Sequence, residues 1–199
     1  MRVLLLSPYP ELIAGPMRAG GDDVVCHSGP PAVVDFTADM IVSFGYRHIL
    51  KPAILSLIRR PILNIHISYL PWNRGADPNF WSWFDGTPKG VSIHYVDSGI
   101  DTGPILAQSE VVFGDPQKET LATTYQKLLA RAAVLLRENW EAIRENSIVA
   151  KQQHGGSFHT SKEKEQWWSF LPDGYDTPVA YVAELGAKRP TLVERRQSL

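Results

Sequence analysis

The 199-residue sequence predicts an α/β fold: a mostly parallel sheet with helices on both faces, an antiparallel strand pair added to it, and a short C-terminal appendage. Three observations predict it. Short apolar runs such as residues 2–7 (RVLLLS) have the character of strands buried on both faces. Those runs alternate with short helical stretches, the pattern of βαβ units. One later segment, residues 90–96 (GVSIHYV), alternates apolar and polar side chains, so it reads as a half-buried strand outside the parallel set.

Taken in order, residues 2–7 form the first strand, and Pro8 and Pro10 end it. Residues 11–19 follow as a short helix stopped by Gly20 and Gly21. Residues 23–27 and 39–44 are the second and third strands. Residues 52–58 form a helix with Pro52 in its first turn, where the missing N–H is harmless. Residues 61–66 (PILNIH) are the fourth strand. A proline- and aromatic-rich loop leads to residues 90–96, with Val91, Ile93 and Tyr95 on one side and Ser92 and His94 on the other. Residues 105–113 complete the antiparallel pair. Residues 118–145 are the longest helix, because Leu121, Tyr125, Leu128, Leu129, Ala132, Leu136, Trp140 and Ile143 recur at three- and four-residue intervals. Residues 1–150 thus read as the main domain and 151–199 as an extension laid on it, charged and frayed from Gly186 onward.

Composition excludes several classes. A net charge of -1 gives no basic footprint for nucleic acid. A lone cysteine, Cys26, leaves no internal disulfide framework and fits a reducing compartment. No apolar stretch is long enough to span a membrane, and MRVLLLSPYP lacks the long apolar region of a signal peptide. A cytoplasmic location is expected.

The candidate chemistry sits between Asn64 and Asp101. Asn64 and His66 are two apart on a strand, so both face one side at its C-terminal end, where open α/β sheets bind ligands. Asn offers N–H donors for a developing oxyanion, and His holds or passes a proton near neutral pH. Asp101 lies between Gly99 and Gly103, which allow positive φ and close backbone approach in a turn that presents the carboxylate. Placed beside His66, Asp101 makes an acid–base pair with a donor alongside. Each of the three also has a plain structural role open to it, and His94 reads as structural. There is no metal-ligand spacing, no nucleophile elbow, and no glycine-rich dinucleotide turn after the first strand, where SPYPEL stands.

The motifs Asn64-x-His66-x-Ser68-x-Leu70-Pro71, Arg74-Gly75, Gly90-Val91-Ser92-Ile93-His94-x-Val96-Asp97 and Gly99-Ile100-Asp101-Thr102-Gly103-Pro104-Ile105 together resemble the formyltransferase family. That family includes glycinamide ribonucleotide, methionyl-tRNA and sugar N-formyltransferases. The resemblance implies a Rossmann-like catalytic domain over residues 1–150 and 10-formyltetrahydrofolate as co-substrate. It also implies a catalytic Asn64, His66 and Asp101. By the same resemblance Tyr46, Arg47, His48, Ile49 and Leu50 form one wall of the folate site, and Asp97, Gly99 and Ile100 the other. Tyr69, Trp72, Arg74 and Gly75 would line the acceptor, while Trp81 and Phe84 read as core packing.

Departures narrow the acceptor. Pro8-Tyr9-Pro10 does not match the glycine-rich phosphate segment of glycinamide ribonucleotide formyltransferases, and the chain has no room for the extra β-barrel of the tRNA enzymes. The stretch Tyr69-Leu70-Pro71-Trp72-Asn73-Arg74-Gly75 and the later Gly155-Gly156-Ser157-Phe158-His159 are most similar to the sugar N-formyltransferases. A small-molecule amine, an amino sugar or nucleotide-linked amino sugar, is the expected partner. Water as acceptor, a glycinamide ribonucleotide-like activity and a non-catalytic folate-binding protein stand as alternatives. Trp167 and Trp168 either complete a nucleotide-sugar site or make a homodimer contact.

Overall fold

A computed structural model describes residues 1–31, 37–48, 50 and 62–189. The helix expected over residues 52–58 lies outside the described residues, as does Ile49. Strands β1 (Arg2–Leu6), β2 (Asp23–His27), β3 (Met40–Phe44) and β4 (Ile62–His66) fall within a residue or so of the sequence reading. After them come a two-residue β5 (Arg74–Gly75), then β6 (Gly90–Tyr95), β7 (Ile105–Glu110) and a short β8 (Phe158–His159). The main sheet has the order β2-β1-β3-β4-β6-β7, and β5 pairs with β8 in a separate ribbon. Strands β1 to β4 run parallel, while β6 is antiparallel to both β4 and β7, as expected.

Two helices cover one face. Helix α1 (Pro10–Ala19) starts with a proline whose lost N–H costs nothing there and buries Ile13, Ala14 and Met17. The longest helix runs Leu121–Arg144, preceded by a capping box. The Thr120 hydroxyl accepts from Thr123 N at 3.1 Å, and Thr120 N donates to the Thr123 hydroxyl at 2.9 Å. Its stripe of Leu128, Leu129, Ala132, Leu136, Trp140 and Ile143 packs with α1 on Val3, Leu5, Val42, Phe44, Leu63, Ile65, Val91 and Ile93. These strand residues share one face. The alternate residues of β4 and β6, namely Asn64, His66, Ser92 and His94, therefore project to the other.

Four expectations change. Strand β6 is buried on both faces, with Ser92 and His94 0% and 1% exposed. It is an interior strand, and its polar face is roofed by the 67–76 loop: Ser92 Oγ accepts from Leu70 N at 3.1 Å and donates to Ser68 O at 2.7 Å. Second, the aromatic loop contains helix α2 (Pro78–Phe84), all seven residues buried, short and with no solvated face of charged residues to mark it in the sequence. If the Leu121–Arg144 helix is α3, two more helices follow, α4 (Ser161–Trp168) and α5 (Val179–Ala187). Third, the chain at Gly186 is closely packed rather than frayed, since a methyl there would lie 1.7 Å from Phe84 O. Residues 190–199 lie outside the described residues. Fourth, Trp167 is a core residue, its ring 4.8 Å from that of Phe84, in a cluster with Phe80, Trp81, Leu121, Val179 and Val182. Trp81 and Phe84 are core, as expected. Among the described residues no helix is long and apolar enough to cross a membrane.

Asp22 ties the sheet start to α3. Its buried carboxylate accepts from the Met1 ammonium and from Trp140 Nε1, both at 2.8 Å, with Arg144 at 3.5 Å. Burial pushes its pKa up, but the ammonium, the indole N–H and the Arg144 charge outweigh that and hold it below the ordinary value. Asp22→Ala is expected to cost about 3 kcal/mol in urea denaturation at pH 7. Since the folded pKa is depressed, this contribution is complete above the unfolded value of about 3.9 and disappears as pH falls through the folded one. The gap between wild type and variant should close below about pH 4.

Candidate active site

Asn64 and His66 emerge at the C-terminal end of β4, and the antiparallel ladder sets His94 opposite Asn64 and Ser92 opposite His66. The β6–β7 connection brings Asp101 onto the same group. Asn64 Nδ2 donates to Asp101 Oδ1 at 3.0 Å and lies 3.2 Å from His94 Nε2. Asp101 Oδ2 is 3.7 Å from His66 Nδ1, and Oδ1 is 3.4 Å from His94 Nε2. The main-chain N–H of Gly75 completes the set, donating to Asp101 Oδ2 at 2.9 Å. The three residues expected to carry chemistry are therefore together, and Gly75 anchors the carboxylate.

The imidazoles are oriented by backbone carbonyls, which only accept. His66 Nε2 donates to Asn73 O at 3.1 Å, leaving Nδ1 toward Asp101. His94 Nδ1 donates to Tyr95 O at 2.8 Å, leaving Nε2 toward Asn64 and Asp101. His94 is thus a member of the site that the sequence reading set aside as structural. Its placement on the polar side of the alternation, with Ser92, was the available signal; the register against β4 was not.

Burial raises the Asp101 pKa. The charge of His66, the hydrogen bond and charge of His94, and the Gly75 N–H outweigh burial and hold the carboxyl far below the ordinary range. The Asp101 carboxylate is thereby placed to orient its neighbours and balance positive charge. Its own φ is 53°, while Gly99 and Gly103 are absent from the positive-φ positions. The glycines supply space instead: a methyl at Gly99 would lie 2.1 Å from Thr102 Oγ1, and one at Gly103 1.9 Å from Tyr95 O.

Around this centre the remaining predicted residues divide. Asp97 braces its own turn, accepting from Gly99 N at 3.0 Å and Thr102 Oγ1 at 2.6 Å. Ile100 is 51% exposed beside it. Tyr46 donates to Gly29 O at 2.6 Å and stacks edge-on against His48. Tyr46, Leu50 and Val96 pack on one apolar cluster of Leu4, Leu6, Ile41 and Ile62. Arg47 is exposed at the same end of the sheet. On the other side Trp72 is 38% exposed and Tyr69 half-buried. Arg74 is not free: its guanidinium reaches Ser157 O and Gly155 O, both at 3.4 Å.

The sequence profile of the formyl transferase family matches residues 31–138, a span that holds Asn64, His66, His94 and Asp101. The chain belongs to this formyltransferase family. Among its relatives is dTDP-4-amino-4,6-dideoxyglucose formyltransferase of Mycobacterium bovis, 32% identical over 129 residues, 64% of this chain and 53% of that protein. Another is methionyl-tRNA formyltransferase of Alkaliphilus oremlandii, 36% identical over 117 residues, 58% of this chain and 37% of that protein. This formyltransferase chain thus spans about half the length, or less, of the curated relatives it matches. Of solved structures, formyltransferase PseJ from Anoxybacillus kamchatkensis, in complex with UDP-4,6-dideoxy-4-formamido-L-AltNAc and tetrahydrofolate, superposes with a TM-score of 0.83. It is 39% identical and the match covers 93% of this chain and all of that one.

A formyltransferase site with this electrostatic balance has a direct spectroscopic consequence. The Asp101 side-chain carboxyl carbon should show no protonation step in NMR titration from pH 8 down to about 4, whereas an ordinary aspartate is half protonated at about 3.9.

Proposed function

We propose that this protein is an N-formyltransferase that moves a formyl group from 10-formyltetrahydrofolate to the primary amine of an amino sugar carried on a nucleotide. The observation that carries the reading is the Asn64, His66 and Asp101 cluster, assembled within hydrogen-bonding or ion-pair reach at the C-terminal edge of the sheet. The likeness to PseJ, bound to a formamido sugar nucleotide and tetrahydrofolate, supports the substrate class. The folate donor supplies an activated formyl carbon, and the packing of Tyr46, Leu50 and Val96 on one apolar cluster supports a place for its flat ring beside them.

The chain's own groups then do four things. Asn64 donates one amide N–H to Asp101 and has the other for the formyl oxygen as negative charge grows there. His66, anchored through Nε2, presents only Nδ1 to the reacting atoms. Asp101 faces Nδ1 with a full negative charge, the partner that an N–H at that atom requires. The Gly75 N–H holds Asp101 in place. One oxyanion donor is worth about 2.7–4 kcal/mol, or roughly 10²–10³ in kcat.

A formyl-transfer assay across amino-sugar nucleotides, amino acids and glycinamide ribonucleotide tests the proposal. An amino-sugar nucleotide is expected to be formylated, and Asp101→Asn and His66→Ala to lose roughly 10³-fold or more in kcat while remaining folded. Rates near wild type in either variant would overturn the assignment. Formate release at the full rate without any amine would replace the sugar with water as acceptor.

A further inference from the structure

The catalytic groups do not hold themselves in place. Two of the residues that define the centre adopt left-handed backbone conformations that side chains disfavour: Asn73 at φ 55° and Asp101 at φ 53°. Each is gripped by a side chain from residues 151–159, which lie beyond the span matched by the family profile. We propose that this segment is a strap that sets the catalytic geometry, with Ser157 positioning His66 through Asn73 and Gln153 positioning Asp101. The inference rests on the functional reading above for its kinetic consequences, and on hydrogen bonds alone for its structural ones.

Ser157 Oγ accepts from Asn73 N at 2.8 Å and donates to Asn73 Oδ1 at 3.1 Å. Asn73 Nδ2 is taken by Thr87 Oγ1 at 2.7 Å. With its N–H and both side-chain atoms fixed, fully buried Asn73 has one polar group left, the carbonyl that receives His66 Nε2. Gln153 Nε2 donates to Asp101 O at 2.9 Å and Gly103 O at 2.7 Å, spanning the turn that presents the carboxylate. Gln153 Oε1 is buried and accepts no hydrogen bond among the described residues. Leaving it so costs free energy, which places the value of this side chain in its two donors.

The main chain of the strap fits the same purpose. The β5–β8 ribbon donates Arg74 N to Ser157 O at 3.0 Å and Ala76 N to His159 O at 2.9 Å. Those two bonds flank the Gly75 N–H and aim it at Asp101 Oδ2. The approach is too close for a side chain, since a methyl at Gly156 would lie 1.9 Å from Pro71 O and one at Gly75 2.3 Å from His159 O. Arg74, which the family resemblance sets beside the acceptor, also reaches across this ribbon. Every first neighbour of Asp101 and His66 on this side is thus fixed from residues 151–159.

The test uses the full chain with Ser157→Ala, Gln153→Met and the hydroxyl-retaining Ser157→Thr. Histidine side-chain NMR is recorded for each, alongside kcat and KM with 10-formyltetrahydrofolate and the amino-sugar nucleotide. The kcat of Ser157→Ala and of Gln153→Met should fall roughly 10–100-fold with KM changed less than about threefold, and Ser157→Thr should recover most of the loss. The His66 Nε2–H resonance should shift or exchange-broaden in Ser157→Ala and stay in place in Ser157→Thr. In a His66→Ala background, Ser157→Ala should add less than about twofold, because its effect passes through the missing ring. An unmoved His66 resonance, or losses that simply multiply in the double variant, would overturn the strap's positioning role. If the wild type formylates no amine while Ser157→Ala still displaces the His66 resonance, the positioning stands and the functional reading falls.

Discussion

A buried carboxylate held below the ordinary pKa range is the constraint from which the rest of the site follows. Asp101 loses solvent on folding, and in isolation that would drive it to the neutral acid. It stays charged because four partners from different parts of the chain point at it: Asn64 from β4, His94 from β6, His66 again from β4, and Gly75 N–H from β5. Remove the register between β4 and β6 and two of the partners are lost together. Remove the ribbon that fixes Gly75 and a third goes. The sheet's change from parallel to antiparallel at β4 matters for this reason, since only a strand paired directly beside β4 sets His94 opposite Asn64.

That same demand accounts for the burial of the polar face of β6. A half-buried antiparallel strand would leave Ser92 and His94 in water. Here the face is roofed, and every polar group beneath the roof needs a partner. Ser92 Oγ donates to Ser68 O and accepts from Leu70 N and Gln108 Nε2, so the hydroxyl fastens the loop that ends at Asn73. The network fastens the roof at Ser92 and reaches Asn64 and Asp101 at His94, two residues along one strand face.

How much of this was legible follows from which physics is local. Apolar runs and the three-and-four spacing of the long helix are local, and β1 to β4 and α3 stand close to where the sequence placed them. Asn64 and His66 share a face because strands have a period of two, which any reader of the sequence can use. The failures are non-local. Helix α2 has no charged, solvated face to announce it, because α5 and Trp167 bury the sides that an isolated helix would expose, and its Asn79 and Ser82 are buried too. Of the two reasons a glycine pair gives in this turn, close backbone approach holds at Gly99 and Gly103, where Thr102 and Tyr95 crowd them, while positive φ falls to Asp101 itself, a property of the assembled turn. His94 became a site residue through cross-strand register, and Gln153 and Ser157 through contacts spanning more than 50 residues of chain.

The folded arrangement also decides which atom of His66 acts. An imidazole in water exchanges its proton between two nitrogens, and a site that left both open would divide its population between them. The carbonyl of Asn73 removes that freedom, because a carbonyl can only accept and so Nε2 must carry hydrogen. Nδ1 then remains the single nitrogen that changes, and it lies on the side where Asp101 and Asn64 converge. Donor, proton carrier and carboxylate are in this way directed at one point before any ligand arrives. Electrostatic catalysis rewards that preorganisation, since the groups need not reorient while charge develops. The left-handed backbone at Asn73 is the local strain that makes the direction possible, and the hydroxyl of Ser157 keeps it there.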